Sequence, residues 1–318
     1  MTPQPHVLDV AEPIVEVTDA HPDQARGTWQ RLAKNWSVRI GGGMLALLAL
    51  TCLAAPWLTV IDPALLDPFN RDLLPGTSAR VTPFDGQPFQ HTFLLGTDSY
   101  GRDIFGRVLY GGRVSLVVGG AVALFSVAIG VLFGLATGAA RWIDGVVMRT
   151  MDGVMAIPGI LLAITLVALW RGSLWTVILA ITVTEVPRVV RLTRSLVLSI
   201  REEPYVEAAV SAGTPALARL YRHILPNTVA PLIVQATYIC AFAMLVEAML
   251  SFLGVGLPPE VPTWGNIMAE GRLQFNEYPH SVLFPGVLLA IAVLSVNMLG
   301  DGLRDTLDPH FSRRGDRP

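Results

Sequence analysis

Residues 203–227 read EPYVEAAVSAGTPALARLYRHILPN, a long polar segment set between two strongly apolar halves of the chain. Pro204 suits the first turn of a helix, where its missing N–H has no partner to lose. Glu202, Glu203 and Glu207 put negative charge at that same end, where the helix dipole favours it. Gly213 then offers a C-terminal cap. Thr214-Pro215 reads as a new N-cap and first helical position. The second short helix is expected to run to Leu225, where Pro226 stops it and Asn227 caps the next segment. The small-residue face of this hairpin, Ala208, Ala209 and Ala212, lets a partner's backbone come close. It reads as a docking knob.

The flanking halves set the fold class. Of 318 residues, 52% are hydrophobic and only 15% charged, and the mean hydropathy is +0.51. Soluble domains carry about a quarter charged residues. The composition therefore points to a polytopic membrane protein. A net charge of −2 gives nucleic acid no basic surface to bind. Cys52 and Cys240 both fall inside apolar runs and read as small core residues, neither a disulfide framework nor a metal site.

Residues 1–37 form a polar N-terminal tail with an amphipathic lead-in at Trp29 to Trp36. Its basic residues Arg26, Arg31 and Lys34 come too late for a signal peptide. Val38–Val60 is expected to be the first span, about 34 Å long as a helix, with Pro56 and Trp57 at its far end. Residues 61–112 are rich in Pro, Gly and Asp and read as an extended external loop. The five-helix core, residues 113–302, follows.

Within it Ser115–Gly138 is the second span, with Gly130, Gly134 and Gly138 at a spacing that allows close helix packing. Met155–Trp170 and Leu174–Val186 read as spans three and four, joined by a tight turn at Arg171-Gly172. Thr228–Phe252 and Ser281–Leu299 complete six, and residues 303–318 are the C-terminal tail. An even count puts both termini on one side. Seven of the 23 basic residues (Arg71, Arg80, Arg102, Arg107, Arg113, Arg171 and Arg272) lie opposite the N-terminus, and the rest lie with it. The positive-inside rule then places both termini and residues 203–227 in the cytoplasm, against the cluster Arg102, Arg107 and Arg113.

A P-loop needs a lysine behind a glycine-rich turn. The only lysine, Lys34, has no such turn, so any ATP chemistry belongs to a partner. No zinc-protease, serine-hydrolase or C-x-x-C pattern appears, and no cofactor or metal is implied.

Glu207-Ala208-Ala209, Gly213 and His223-Ile224-Leu225-Pro226-Asn227 resemble the EAA loop of ABC-type importer permeases. Leu95-Gly96-Thr97-Asp98-Ser99-Tyr100-Gly101-Arg102-Asp103, continued to Arg113, is similar to a signature of the dipeptide, oligopeptide and nickel branch, in its second permease subunit. Ser251-Phe252-Leu253-Gly254-Val255-Gly256 with Pro258-Pro259 and Thr263-Trp264-Gly265 matches another, as does Asn297 to Asp305 with Asp308-Pro309. The resemblance runs from about residue 38 to 310.

It implies an all-α, six-transmembrane-helix type I ABC importer permease bundle in a bacterial inner membrane. It further implies a homologous but distinct permease subunit, two ATP-binding subunits and an external solute-binding protein as partners. Tyr205, Glu207, Ala208, Ala209 and Gly213 would couple to the ATPase. Glu247, Met244, Phe252 and Trp264 would belong to the translocation path or its outer gate. Dipeptides, longer peptides and nickel stay open as substrates.

Glu247 is a carboxylate inside an apolar span, a costly position usually facing a bundle interior or water. Either it lines the path, or it pairs with Arg102 or Arg113. Asp152, Glu185 and Asn297 fall at span ends as solvated or capping residues. Arg188, Arg191 and Arg194 read as a stripe facing lipid headgroups. Two other classes fit a membrane bundle: an ion-coupled secondary transporter, marked by proton-driven uptake without ATP, and a non-transporting scaffold, marked by purification without ATPase subunits.

Overall fold

The computed structural model describes residues 32–307 apart from 84, 85, 140 and 171. Most of the N-terminal tail, the C-terminal residues from 308 onward and Arg171 of the expected turn lie outside the described residues.

Asn35 caps the first helix, α1 (Trp36–Leu53), its Oδ1 accepting from the N–H of Ser37 at 2.9 Å and of Val38 at 3.4 Å. The helix stops at Leu53 rather than at Val60. Pro56 has no N–H to give the Cys52 carbonyl, and Arg113 takes its place: Nε donates to Cys52 at 2.6 Å and Nη2 donates to Leu53. A cation also suits a helix C-terminus. One further turn, α2 (Ala55–Leu58), carries the proline.

The expected extended loop contains a folded unit. β1 (Thr77–Val81) pairs antiparallel with β2 (Phe89–Phe93) in a register that sets Thr77 opposite Phe93 and Val81 opposite Phe89. Val81 and Phe93 bury against Ile61, so the hairpin has an apolar face of its own.

The next helix, α3 (Ile104–Ala139), begins well before Ser115 and runs 36 residues, about 54 Å. Asp103 caps it, accepting from the N–H of Phe105 at 3.2 Å and of Gly106 at 2.9 Å. Its early arginines are tolerated because tertiary partners offset their charge, Glu270 and Asp98 for Arg107 and the Cys52 and Leu53 carbonyls for Arg113. On its other half, a Cβ at Gly130, Gly134 or Gly138 would sit 2.4, 2.4 or 2.2 Å from Val189, Thr193 or Val197. All three lie on α6 (Leu174–Arg201), so the glycine stripe brings two helix backbones together as expected.

Between them lie α4 (Arg141–Met155) and α5 (Gly159–Leu169), meeting at an angle of 87° with Pro158 at the corner. The span expected at Met155–Trp170 is thus the shorter arm of a bent pair. α7 (Pro204–Ser211), α8 (Ala216–Arg219) and a π turn (Leu220–Ile224) lead into α9 (Leu225–Phe252). α10 (Trp264–Gly271) and α11 (His280–Leu307) close the chain.

Among the described residues four helical stretches are long and apolar enough to cross a membrane: Trp36–Leu53, Ile104–Gly138, Ala216–Phe252 and His280–Leu307; the bent pair makes a fifth. A count of six requires α6 as well, which is 28 residues long but carries Glu185, Arg188, Arg191, Arg194 and Arg201. Two buried clusters join the helices. One, around Val118, Ile178, Ile181 and Leu250, ties α3, α5, α6 and α9. The other, around Cys52, Met244, Trp264 and Ala292, ties α1, α3, α9, α10 and α11. Leu47, Leu50, Leu124, Leu132 and Leu179 point outward, as a chain solvated by lipid requires.

Candidate functional site

The segment at 203–227 is a projecting helical hairpin. Pro204 opens α7 with Glu207 in its first turn. Gly213, at φ +78°, ends it: its N–H donates to Val210 at 2.9 Å and the N–H of Thr214 to Ala209 at 3.0 Å. This double bond pattern needs a left-handed residue at the second-last place, which glycine supplies without steric cost. Thr214 does not cap α8; Pro215 stands at the cap and no side chain closes it.

Nor does Pro226 stop the second helix. The π turn shifts the bonding, Leu225 donating to Leu220, so Pro226 enters α9 in the first turn, where no N–H is missed. Asn227 Nδ2 donates to the His223 carbonyl at 2.7 Å and to the Tyr205 hydroxyl at 3.1 Å, tying the two arms of the hairpin.

Val206 is the root of α7, 2% exposed, while Tyr205, Glu207, Ala208, Ala212 and Gly213 face outward and Ala209 is half-buried. Burial and the neighbouring Glu203 charge push the Tyr205 phenol up, so it stays a neutral hydrogen-bonding group. Beneath the hairpin lies a cavity of about 350 Å³ lined by Val206, Val210, Leu217, Ile224 and Arg201. Arg201 Nη1 donates to the Gly138 carbonyl at 2.8 Å, joining the hairpin's base to the end of α3. All five residues expected to couple to a partner therefore sit on one exposed, anchored element.

The opposite end holds a knot of charge that sequence reading did not assemble. Asp98 Oδ1 accepts from the N–H groups of Tyr100 and Arg102 at 2.9 Å each, and its Oδ2 accepts from Arg102 Nε at 2.7 Å. Arg102 also pairs with Glu270 of α10, whose Oε2 accepts from Arg107 Nη2 at 3.1 Å; Arg107 Nε lies 3.7 Å from Asp98. Thr97, Asp98, Arg102, Asp103 and Arg107 are all buried. Ser99 Oγ donates to Gln274 at 2.8 Å, and Trp264 Nε1 to the Val108 carbonyl at 3.0 Å. Arg102 and Arg107, two of the three residues that break the charge asymmetry, are thus neutralised inside the subunit. Spacing of like-signed residues hinted at it, but Glu270 lies 163 positions from Arg107.

Glu247 is fully buried, but among the described residues no arginine reaches it. Ser251 Oγ donates to Oε1 at 2.9 Å and Ser115 Oγ to Oε2 at 3.1 Å. Arg102 and Arg113 are engaged elsewhere, as described. Met244 and Trp264 are likewise fully buried, whereas Phe252 is 38% exposed with the Arg272 guanidinium 5.1 Å over its ring. The headgroup stripe is also corrected: Arg191 bonds Asp152 and Arg194 bonds Asp144, both on α4, and Arg188 bonds Glu185 at 2.9 Å. Glu185 is buried within α6, not a solvated end residue.

A family model described as the binding-protein-dependent transport system inner membrane component matches residues 126–313. The N-terminal TM domain of oligopeptide transport permease C matches residues 24–75. The chain is 46% identical to the probable peptide ABC transporter permease protein y4tQ of Sinorhizobium fredii, over 89% of this chain and 93% of that one. It is 40% identical to a dipeptide transport system permease protein, DppC, of Alkalihalophilus pseudofirmus, over 89% of both. It is 38% identical to a glutathione transport system permease protein, GsiD, of Salmonella typhimurium, over 91% of this chain and 92% of that one. Its fold is similar to a chain of the inward-facing MetNI methionine ABC transporter, with a TM-score of 0.53 over 64% of this chain and 98% of that one at 19% identity. With the exposed hairpin, the glycine-welded helices and these matches together, the chain belongs to the ABC importer permease family, as a multi-pass inner-membrane component of a binding-protein-dependent transport system.

Proposed function

We propose that this chain is one of two permease subunits of an ATP-driven peptide importer, with ATP hydrolysis supplied by two partner subunits. The names of the relatives support peptides as the solute class. The hairpin end, with both termini, faces the cytoplasm and the ATPase; the β-hairpin and charge knot face the external solute-binding protein. Phe252, on the exposed side of α9, fits the path or its outer gate. Glu247 and Met244, on the buried face of α9, and Trp264 of α10 lie inside the subunit.

The observation that carries this reading is α7 itself. It exposes Glu207 and Ala208 while Val206 buries its root and the Asn227–Tyr205 bond ties it to α9. ATP binding would close the ATPase pair, move α7 as a rigid lever and rock α6 and α9 from inward-open to outward-open. Small exposed side chains let the ATPase surface approach closely, and a stiff root transmits the movement.

Gly213→Asp tests it. No heavy atom lies within 4 Å of a Cβ built there, so the added Cβ meets nothing in the subunit. The left-handed backbone costs about 1–2 kcal/mol, which a membrane bundle survives. The variant is expected in the membrane at normal level with ATP-dependent uptake abolished. Normal uptake would remove the coupling assignment.

A further inference from the structure

α6 carries two opposite charges where the hydrocarbon layer is expected. Glu185 stands eleven residues from Leu174, about 17 Å along the helix and near the middle of a roughly 30 Å core. Its carboxylate is buried, whereas the Arg188 side chain bonded to it is 54% exposed. Arg191 and Arg194 reach across to acidic residues of α4, but among the described residues Arg188 finds its carboxylate only one turn away on its own helix. It lies 5.7 Å over the Phe242 ring of α9. A half-exposed guanidinium at this depth is costly against lipid, and such groups face water-filled cavities or other protein instead. A cavity of about 390 Å³ is present there, between the α4–α5 corner, α6 and α9. Glu185 and Arg188 lie on one wall, with Met155, Phe242, Val246 and Met249 on the others.

We infer that this cavity is a subsite for a short peptide with free ends, Arg188 taking the C-terminal carboxylate and Glu185 the N-terminal ammonium. A dipolar solute replaces the internal pair charge for charge, whereas a solute of one sign would meet a like charge within one helical turn. Apart from Thr184 the remaining walls are apolar and include two methionines, which adapt to varied side chains. The volume lies within the range of small-molecule sites. The inference rests on the peptide reading above and adds to it where in this subunit the solute is held.

The test uses the complete transporter in proteoliposomes, with Met249→Cys as a reporter of the cavity and the same assembly lacking that cysteine as the control for Cys52 and Cys240. A transported dipeptide, delivered by its binding protein, is expected to slow maleimide labelling of the reporter. Adding Arg188→Gln or Glu185→Gln should raise the peptide concentration needed for that protection about 10- to 100-fold, the loss of one charge-assisted hydrogen bond. Arg188→Lys should restore part of it. Protection unchanged by both glutamine variants would overturn the subsite. So would loss of complex assembly in Arg188→Gln, because the second permease would then be the cavity's occupant. If the unsubstituted assembly imports no peptide at all, the peptide reading itself fails, and that is seen before any substitution.

Discussion

The two ends of this molecule treat charge in opposite ways. At the β-hairpin end Asp98, Arg102, Arg107 and Glu270 are nearly sealed, each carboxylate facing both guanidiniums. At the other end Glu203, Glu207 and Arg222 stand exposed on the 203–227 hairpin and enter no ion pair among the described residues. Both segments carry dense residue patterns, yet one pattern is consumed inside the subunit and the other stays exposed, as the proposed docking requires. Specific spacing alone therefore does not mark a contact surface; exposure decides whether a patterned residue can act on anything outside. Buried ion pairs hold geometry at a desolvation cost, and removing one partner strands the other.

The sharpest way to break the comparison is Arg107→Met. It leaves Asp98 and Glu270 facing Arg102 alone in a site Arg107 fills with no exposed surface. The expected loss is about 3–5 kcal/mol, a fall in Tm on the order of 10 °C for the detergent-solubilised subunit. A Tm within about 2 °C of the parent would mean that the knot holds little, and that its residues are as free for outside contacts as those of the hairpin.

Ala208→Leu should do the reverse. The residue is exposed, so stability is expected to change by about 0.5 kcal/mol or less. Uptake should nevertheless be lost, because a bulky side chain now stands where close approach is needed. If Ala208→Leu lowers the Tm as Arg107→Met does, the hairpin is packed structure rather than a docking element.

Much of this division was legible in the sequence. Gly213 as a cap, the glycine stripe from 130 to 138 and the apolar spans were readable because each depends on local residue type and a helical period. What failed was long-range. Arg191 and Arg194 look like headgroup residues until α4 turns back at Pro158 and brings Asp152 and Asp144 beside them. Glu247 offers in the sequence either a path-lining carboxylate or a partner for Arg102 or Arg113; the arginines are engaged elsewhere and two serine hydroxyls solvate it. Pro226 looked like a stop until a π turn moved it into a first turn. The start of α3 was hidden because Arg107 and Arg113 read as loop charges, and their partners are separated from them by 163 and about 60 positions. The Glu185–Arg188 pair, three residues apart, was visible as letters but not as the wall of a cavity.

The smallest expected effect separates the ends by pH. Burial holds the Glu270 carboxyl above the ordinary carboxylate range, against the pull of Arg107 and Arg102. It does the same for Asp103, against hydrogen bonds from Gly106 and Phe105. A carboxyl raised in the fold binds its proton more tightly folded than unfolded. Its ionised form therefore costs stability above the raised value, and that cost fades as pH falls through it toward the usual value of about 4.3. The group shifted at the hairpin end, the Tyr205 phenol, moves further from neutrality and contributes nothing on the acid side. Between pH 7 and pH 5 the Glu270→Gln variant should lack part of the acid-side rise in Tm shown by the parent, a difference of about 2 °C or less. Ala208→Leu should keep that rise in full. Parent and Glu270→Gln profiles that coincide would mean the two arginines cancel the burial of Glu270, making the knot an ionic lock with no acid-sensitive component.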